Sequence, residues 1–393
     1  MSTQAGRVLY LALADARGHL MRAHLLSEAL GDAGIAVDVV TTSREGVQFL
    51  ASMGHESQLL SEHFRVEFGN RHDMSRRRTD ARVFNYLVLP WRAMADLRRL
   101  AVLARGADLV VNDSLHPALL LAPALGFPHP VVQVYGENLW RAMESNLDDR
   151  APAWIVERYR RALRLVRDRA FARIIHTLGD VGAEPGGPGR TYRLAPIVAR
   201  PGRTRAEVRA ALGVADGVPL AAVYLNPHFK DLSIAAALEE GLAAGGFRHY
   251  LVGEGYRDRS GWVGTDARFA DVVHAAELFV SGAGMGALEL ARSSGTPLLV
   301  LLGDQPEQAR NVAELLRRVP DFALREVLVG DPELARSIAT AAAALAGRGP
   351  AGGPPSRSAA EAPWVEAFVE LVRAARVAAA GRRTLVAHPR PAY

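Results

Sequence analysis

The chain has 393 residues, of which 49% are hydrophobic and 23% charged, with a formal net charge of +5 and no cysteine. That length accommodates two domains of ordinary size, and the missing thiols exclude disulfides, thiolate metal sites and cysteine nucleophiles. The positive excess is carried by arginine, with Lys230 the only lysine. It suits anionic ligands but is too small and scattered for a nucleic-acid partner.

No apolar run reaches the roughly 18 residues of a membrane-spanning helix, and the start lacks the charged and apolar regions of a signal peptide. The expected location is therefore cytoplasmic.

Arg7 to Ala14 reads as a buried strand, Asp15 to His19 as a turn, and Leu20 to Ala33 as a helix with Leu25, Leu26, Ala29 and Leu30 on one face. Gly34 ends that helix and Ile35 to Thr41 is the next strand, giving an opening βαβ unit of Rossmann type. Gly46 to Met53 reads as helix and Ser57 to Leu60 as a short strand. Residues 62 to 82 are polar and irregular, carrying His72 and Arg76-Arg77-Arg78. Val83 to Leu103 is amphipathic, with Phe84, Tyr86, Leu87 and Trp91, and Pro90 divides or kinks it. An ordinary helix beside a solvated basic loop is the simpler reading; the other is peripheral membrane contact through residues 74–92.

Asp108 to Asn112 is a parallel strand that runs into Asp113-Ser114-Leu115-His116, and Pro117 to Leu125 starts as helix. Val131 to Tyr135 is a strand, Gly136-Glu137-Asn138 a polar loop, Ala153 to Arg173 an arginine-rich helix, Ile174 to Leu178 a strand and 182–189 a loop. Punctuation by Pro196, Pro201 and Gly202 marks a domain boundary, followed by a capping box from Thr204 to Glu207. Leu220 to Leu225 opens a second sheet, Asn226 to Lys230 is its first loop, Ser233 to Ala244 a helix and His249 to Gly253 a strand.

The stretch from 271 to 316 organises the second half. The apolar run Leu278 to Val280 ends in the turn Ser281-Gly282-Ala283-Gly284-Met285-Gly286, a helix follows from Ala287 to Arg292, Gly295-Thr296-Pro297 breaks it, and Leu298 to Leu302 is a buried strand. Glycines admit a ligand close to the backbone, and the first amides of the helix lack intrahelical partners, which together suit a diphosphate. The plainer reading is that the glycines serve only helix–sheet packing. A third is the dinucleotide fingerprint Gly282-x-Gly284-x-x-Ala287 with Asp304 as its ribose acid. Pro332 to Leu345 is a helix, 347–357 a Gly/Pro/Ser linker, Ala359 to Ala379 a terminal helix, and the tail after Gly381 is expected to be mobile.

The order of small-residue turn, internal Glu289, Gly295-Thr296-Pro297, strand, and Glu307-Gln308-x-x-Asn311 resembles the donor-binding region of GT-B-fold glycosyltransferases, near the UDP-glycosyltransferases and the peptidoglycan N-acetylglucosaminyltransferase. The resemblance implies an α/β GT-B fold, with two Rossmann-like domains whose parallel sheets face a central cleft. The domains fall at 1–200 (acceptor side), 201–358 (donor side) and a helix at 359–380 crossing back. It implies a metal-independent hexosyltransferase that uses a nucleotide sugar, UDP-linked by expectation, and a hydroxyl acceptor, with no cofactor. Glu289 is then expected at the ribose. Gly282, Gly284, Met285 and Gly286 fall at the phosphates with His228 (Lys230 beside it), and Glu307, Gln308 and Asn311 at the sugar. Leu302-Gly303 stands where the family has a proline, and Asp304-Gln305 offers a second acid–Gln pair; Glu307 and Gln308 are preferred because they keep Asn311 in register.

The loop ending Gly18-His19 resembles the family's catalytic loop, so His19 is the candidate general base and Asp113 the acid that orients it. Each also has a structural reading, His19 as a helix-start residue and Asp113 as a helix cap. His24 lies on a different helix face from His19, so the two make a poor metal pair. Alternatives are a catalytically silent homologue that binds a sugar nucleotide or a partner enzyme, a nucleotide-sugar 2-epimerase, and an NAD-dependent dehydrogenase.

Overall fold

The structure is a computed structural model, describing residues 6–64, 85–86, 90–145, 148, 152–184, 189–303, 305–348 and 361–386. The first sheet contains β1 (Gly6–Ala12), β2 (Ile35–Thr41), β3 (Ser57–Leu59), β4 (Leu109–Asp113), β5 (Val131–Gly136), β6 (Ala172–His176), β7 (Gly182–Glu184) and β8 (Arg190–Leu194). Their order is β3-β2-β1-β4-β5-β6-β8-β7, parallel throughout except for the edge pairing of β7 with β8. The second sheet is parallel, in the order β11-β10-β9-β12-β13-β14, from β9 (Leu220–Leu225), β10 (Arg248–Gly253), β11 (Trp262–Val263), β12 (Leu278–Gly282), β13 (Leu298–Leu302) and β14 (Leu324–Leu328).

Helices cover both faces of each sheet, so central strands such as β4 and β13 are buried along their whole length; β13 is an unbroken apolar run, and β4 is apolar until Asn112 and Asp113 at its carboxyl end. Each sheet has a switch point where successive connections leave in opposite directions: β1 beside β4 in the first, β9 beside β12 in the second. Open α/β sheets place their ligand crevices at the carboxyl ends of such strands.

Five helices matter to the site. These are α1 (Arg17–Asp32), α2 (Glu137–Glu144), α3 (Met285–Ser294), α4 (Pro306–Arg318) and α5 (Glu361–Val386). α3 starts without a side-chain cap and stops at Gly295, whose φ of 67° is the left-handed C-terminal turn that a side chain would strain. α5 follows the second sheet in sequence but packs on the first. Its Trp364, Phe368, Leu371 and Val372 are buried in that sheet's core with Leu20, Leu26 and Tyr10. The Trp364 indole donates to the Ala195 carbonyl at 2.8 Å, and Arg376 holds Asp108 at 2.8 and 2.9 Å.

Several local expectations change. Glu137 and Asn138, expected in a polar loop, begin a helix that runs to Glu144. The helix from Ala153 ends at Asp168, because Ala172 already belongs to β6. β8 and β14 had no counterpart in the sequence reading, and both alternate buried with exposed residues too weakly to stand out. α5 runs past Gly381 to Val386. The basic run Arg76–Arg78, His72, Phe84, Leu87, Asp304 and most of the 347–357 linker lie outside the described residues. Of the region 74–92, Tyr86 is buried and donates to Asp96 at 2.7 Å, while Trp91 is exposed at the start of a helix that begins at Pro90. Among the described residues no helix is long and apolar enough to cross a membrane.

Candidate active site: a cleft between the two sheets

A cavity of about 390 Å³ lies where the two switch points face each other. The first domain contributes Arg17, His19 and Arg22 from the start of α1, then Ser114 after β4 and His176 at the end of β6. The second contributes Tyr224, Asn226 and His228 around β9, the glycine turn after β12, and Gln305, Glu307, Gln308 and Asn311 on or beside α4. The connecting segment Pro196–Ala199 and the loop Thr265–Ala267 close the sides.

The glycine turn meets the geometric requirement for an anion. Gly284 is the extended residue before α3, and no side chain accepts from the first amides of the helix. A Cβ at Gly284 or Gly286 would meet nothing within 4 Å, so both backbone segments border open space. Gly282, Gly284, Met285 and Gly286 all line the cavity. Unpaired amides and the positive end of the helix dipole therefore face it together.

Glu289 is placed differently from expectation. It is buried, but its carboxylate takes two hydrogen bonds from Arg292, at 2.8 and 2.6 Å, and it does not line the cavity. The next residue, Leu290, does. Successive helical side chains point about 100° apart, so a one-residue offset turns the carboxylate from the cleft.

Asn311 also has partners within the protein. It borders the cavity but is fully buried, accepts from Asn138 of α2 at 3.0 Å and donates to the Ala283 carbonyl at 3.0 Å. Its amide thus ties the glycine turn to the first domain and is committed to that brace. Glu307 and Gln308 do border the cavity. Burial raises the Glu307 carboxyl above its ordinary range, an effect that His19 and Asn311 offset only in part. The Gln308 amide nitrogen donates to Gln305 at 2.9 Å, and its buried oxygen has no partner among the described residues. His228 lines the cavity and stacks on Phe229 with ring centroids 5.4 Å apart, whereas Lys230 is exposed outside it.

Across the cleft His19 stands on the first turn of α1, and Asp113, fully buried, ends β4 beside it. Their closest approach is 3.4 Å, from Nδ1 to Oδ1. The nearer partner of Asp113 is one the sequence reading missed. Arg22 donates to Oδ2 at 2.8 Å and to Oδ1 at 2.9 Å, and its Nη2 also stands 3.0 Å from His19 Nδ1. Tyr10 donates to Oδ2 at 2.8 Å. Burial pushes the Asp113 carboxyl up, but the Arg22 guanidinium and His19 outweigh it and hold it well below the usual carboxylate range. Arg22 follows His19 by three residues on one helix, a spacing that puts both on the same face and could have revealed it.

A second missed pair spans the domains. Arg17 reaches Glu254, after β10, with contacts of 2.5 and 2.6 Å, while its guanidinium also donates to the Ala14 carbonyl at 2.8 Å. Among the described residues no group of three or more His, Asp or Glu side chains is placed to hold a metal ion.

Two Rossmann-like domains with parallel sheets facing one cleft are the GT-B fold. In this fold the chain resembles UDP-glycosyltransferases and macrolide glycosyltransferases. It superposes on the Polygonum tinctorium UDP-glucosyltransferase capable of glucosylating indoxyl with a TM-score of 0.59 and 14% identity, covering 95% of this chain and 100% of that one. Arabidopsis thaliana UGT89C1 complexed with quercetin gives 0.59 and 14%, with 94% and 99% covered. The spinosyn rhamnosyltransferase SpnG complexed with thymidine diphosphate gives 0.53 and 16%, with 96% and 99% covered. At the level of sequence, no protein-family model and no curated protein matches the chain.

Proposed function

We propose that the protein transfers a sugar from a nucleoside-diphosphate donor to a hydroxyl acceptor bound on the first-domain side of the cleft. The observation that carries this reading is the bare N-terminus of α3, which opens into the same cavity as His19. A departing diphosphate gains negative charge as the glycosidic bond breaks, and fixed amides aimed at it stabilise that charge without reorganising. On the other wall His19 takes the proton that the acceptor hydroxyl loses. Glu307 and Gln308 contact the sugar between them. The fold relatives with UDP-glucosyltransferase activity or bound thymidine diphosphate support a nucleoside-diphosphate donor and leave the base open between uracil and thymine. UDP is our first choice.

One observation favours a second reading, a silent homologue that binds the sugar nucleotide without turnover. Arg22 is an obligate donor and crowds the nitrogen of His19 that a base–orienter pair needs protonated.

The test is a thermal-shift screen with UDP, thymidine diphosphate, GDP and NADH on the wild type and on Gly286→Val, followed by turnover of UDP-glucose and TDP-glucose with quercetin as acceptor. Ligand present at about 100 times its Kd stabilises by about 2.7 kcal/mol, a readable shift. One diphosphate should raise the midpoint of the wild type. Gly286→Val, whose side chain enters open space, should keep its own midpoint and lose that response. A response to NADH alone would overturn the proposal, and diphosphate binding without turnover would select the silent homologue.

A further inference from the structure

We propose that Asn138, a first-domain residue, is the positioning residue for the glycine turn of the second domain, so that the donor site takes its final shape only when the two domains are together. Three observations carry this.

The first is a chain of hydrogen bonds with one possible direction. The Ala283 carbonyl can only accept, so the Asn311 side chain turns its amide nitrogen toward it, at 3.0 Å. Asn311 Oδ1 is left facing the other way, and it too can only accept. Asn138 meets it with Nδ2 at 3.0 Å. Both asparagines are buried, Asn311 with no exposed surface. A carboxylate at position 138 would set acceptor against acceptor. An apolar side chain there would leave Asn311 Oδ1 without a donor, which is costly away from water.

The second is where the chain of bonds ends. The Ala283–Gly284 peptide is held at both of its polar groups, the Ala283 oxygen by Asn311 and the Gly284 N–H by the Gly282 carbonyl at 2.9 Å. The next three amides, of Met285, Gly286 and Ala287, open α3 and have no intrahelical acceptor. The helical ladder begins at Leu288, whose N–H donates to the Gly284 carbonyl at 3.1 Å. The orientation of that one peptide therefore sets the direction of the free amides after it.

The third is how firmly Asn138 is held from behind. It stands on the first turn of α2, next to Glu137. Glu137 accepts from Arg141 at 2.8 Å and from Thr177, after β6, at 2.8 Å, and pairs with Arg193 of β8 at 3.1 Å. The start of α2 is thereby tied to the first sheet, and Asn138 carries that fixed position across to the turn. The domains also meet through Arg318 and Asp180, at 2.7 and 2.8 Å, and through Arg17 and Glu254. Losing the Asn138 amide leaves them joined, so the change falls on the turn.

That the turn binds a diphosphate rests on the transfer reading; that Asn138 holds the turn does not. Asn138→Ala, Asn138→Asp and Asn311→Ala would be compared with the wild type by calorimetric titration with UDP or thymidine diphosphate, by titration with uridine or thymidine, and by amide hydrogen exchange. Diphosphate affinity should fall about tenfold in each variant, the scale of one buried hydrogen bond. Adding Asn138→Ala to Asn311→Ala should cost nothing further, because the two act through one chain of bonds. Affinity for the nucleoside, which has no phosphate to meet the amides, should stay at its wild-type value. Exchange at Gly284 and Leu288 should quicken. Arg318→Ala breaks a cross-domain pair away from the turn and should keep wild-type diphosphate affinity. An equal loss for nucleoside and diphosphate, an equal loss in Arg318→Ala, or unchanged exchange in Asn138→Ala would overturn the proposal. A wild type that binds neither diphosphate, with exchange at Gly284 and Leu288 still quickened in Asn138→Ala, would keep Asn138 in its role and remove the transfer reading.

Discussion

Glu289 and Leu290 show how finely a helical site depends on register. The carboxylate that the motif assigns to a ribose is held by Arg292, and the apolar side chain beside it borders the cleft. The expected result for Glu289→Ala is therefore a diphosphate affinity within about twofold of wild type, measured by titration calorimetry. Its stability cost should be modest, about 1 kcal/mol, because Arg292 is half exposed and regains water when its partner goes. A loss of affinity of tenfold or more would restore the carboxylate to the donor site. Asn311 carries the same lesson in reverse. It borders the cleft, but only the partners on both sides, Asn138 and the Ala283 carbonyl, reveal a brace.

At the level of elements, the parallel strands and their following turns were legible because each depends on neighbours in sequence. Ile35–Thr41, Leu220–Leu225 and Leu298–Leu302 have the bounds that their apolar runs indicate, and the Thr204–Glu207 capping box forms as read. Edge strands such as β14 lack that signal, since exposure on one side dilutes the apolar run. The last helix, α5, is amphipathic on its own terms, but the face it covers belongs to the first sheet. Trp364 anchors it, with no exposed surface and its indole N–H on Ala195. Trp364→Ala should cost about 3–5 kcal/mol, as large-to-small changes in cores do. The loss should appear in denaturant unfolding of the first domain, with hydrogen exchange rising along α5 before it rises in the second sheet.

For the whole molecule, stability should depend on acid through neutral histidines that are buried (His116, His176) or half-buried (His55, His129, His249). Burial lowers the pKa of His116 to about 4, and it lowers those of His55, His129, His176 and His249 as well. Nearby charges adjust the shift, Arg22 beside His176 pushing the same way. Unfolded histidines titrate near 6.5, so below that pH the unfolded chain binds more protons than the folded one. This stabilisation is complete above about pH 6.5 and is lost as the pH falls toward the folded values. His116 alone accounts for roughly 3 kcal/mol. Urea midpoints should hold between pH 8 and 7 and drop steadily from 6.5 to 4.5, with a shallower slope in His116→Asn. A flat profile across that window would contradict neutral burial of these rings.

The pattern of residues along the chain determined the α/β class, the two parallel sheets and the glycine turn that opens into the cleft, because apolar runs, breakers and missing side chains act on their immediate surroundings. It also placed His19 just after the loop that follows the first strand and Asp113 at the end of a later one. Which groups surround them was decided by tertiary structure. Arg22 meets Asp113 only when α1 lies beside β4, and Arg17 meets Glu254 only when the two sheets face each other. Ser114 reaches His19 through a backbone turn no local preference favours. Those contacts join residues 91, 237 and 95 positions apart, and their directions follow from the packing of whole elements, which the periodicity of one element does not contain.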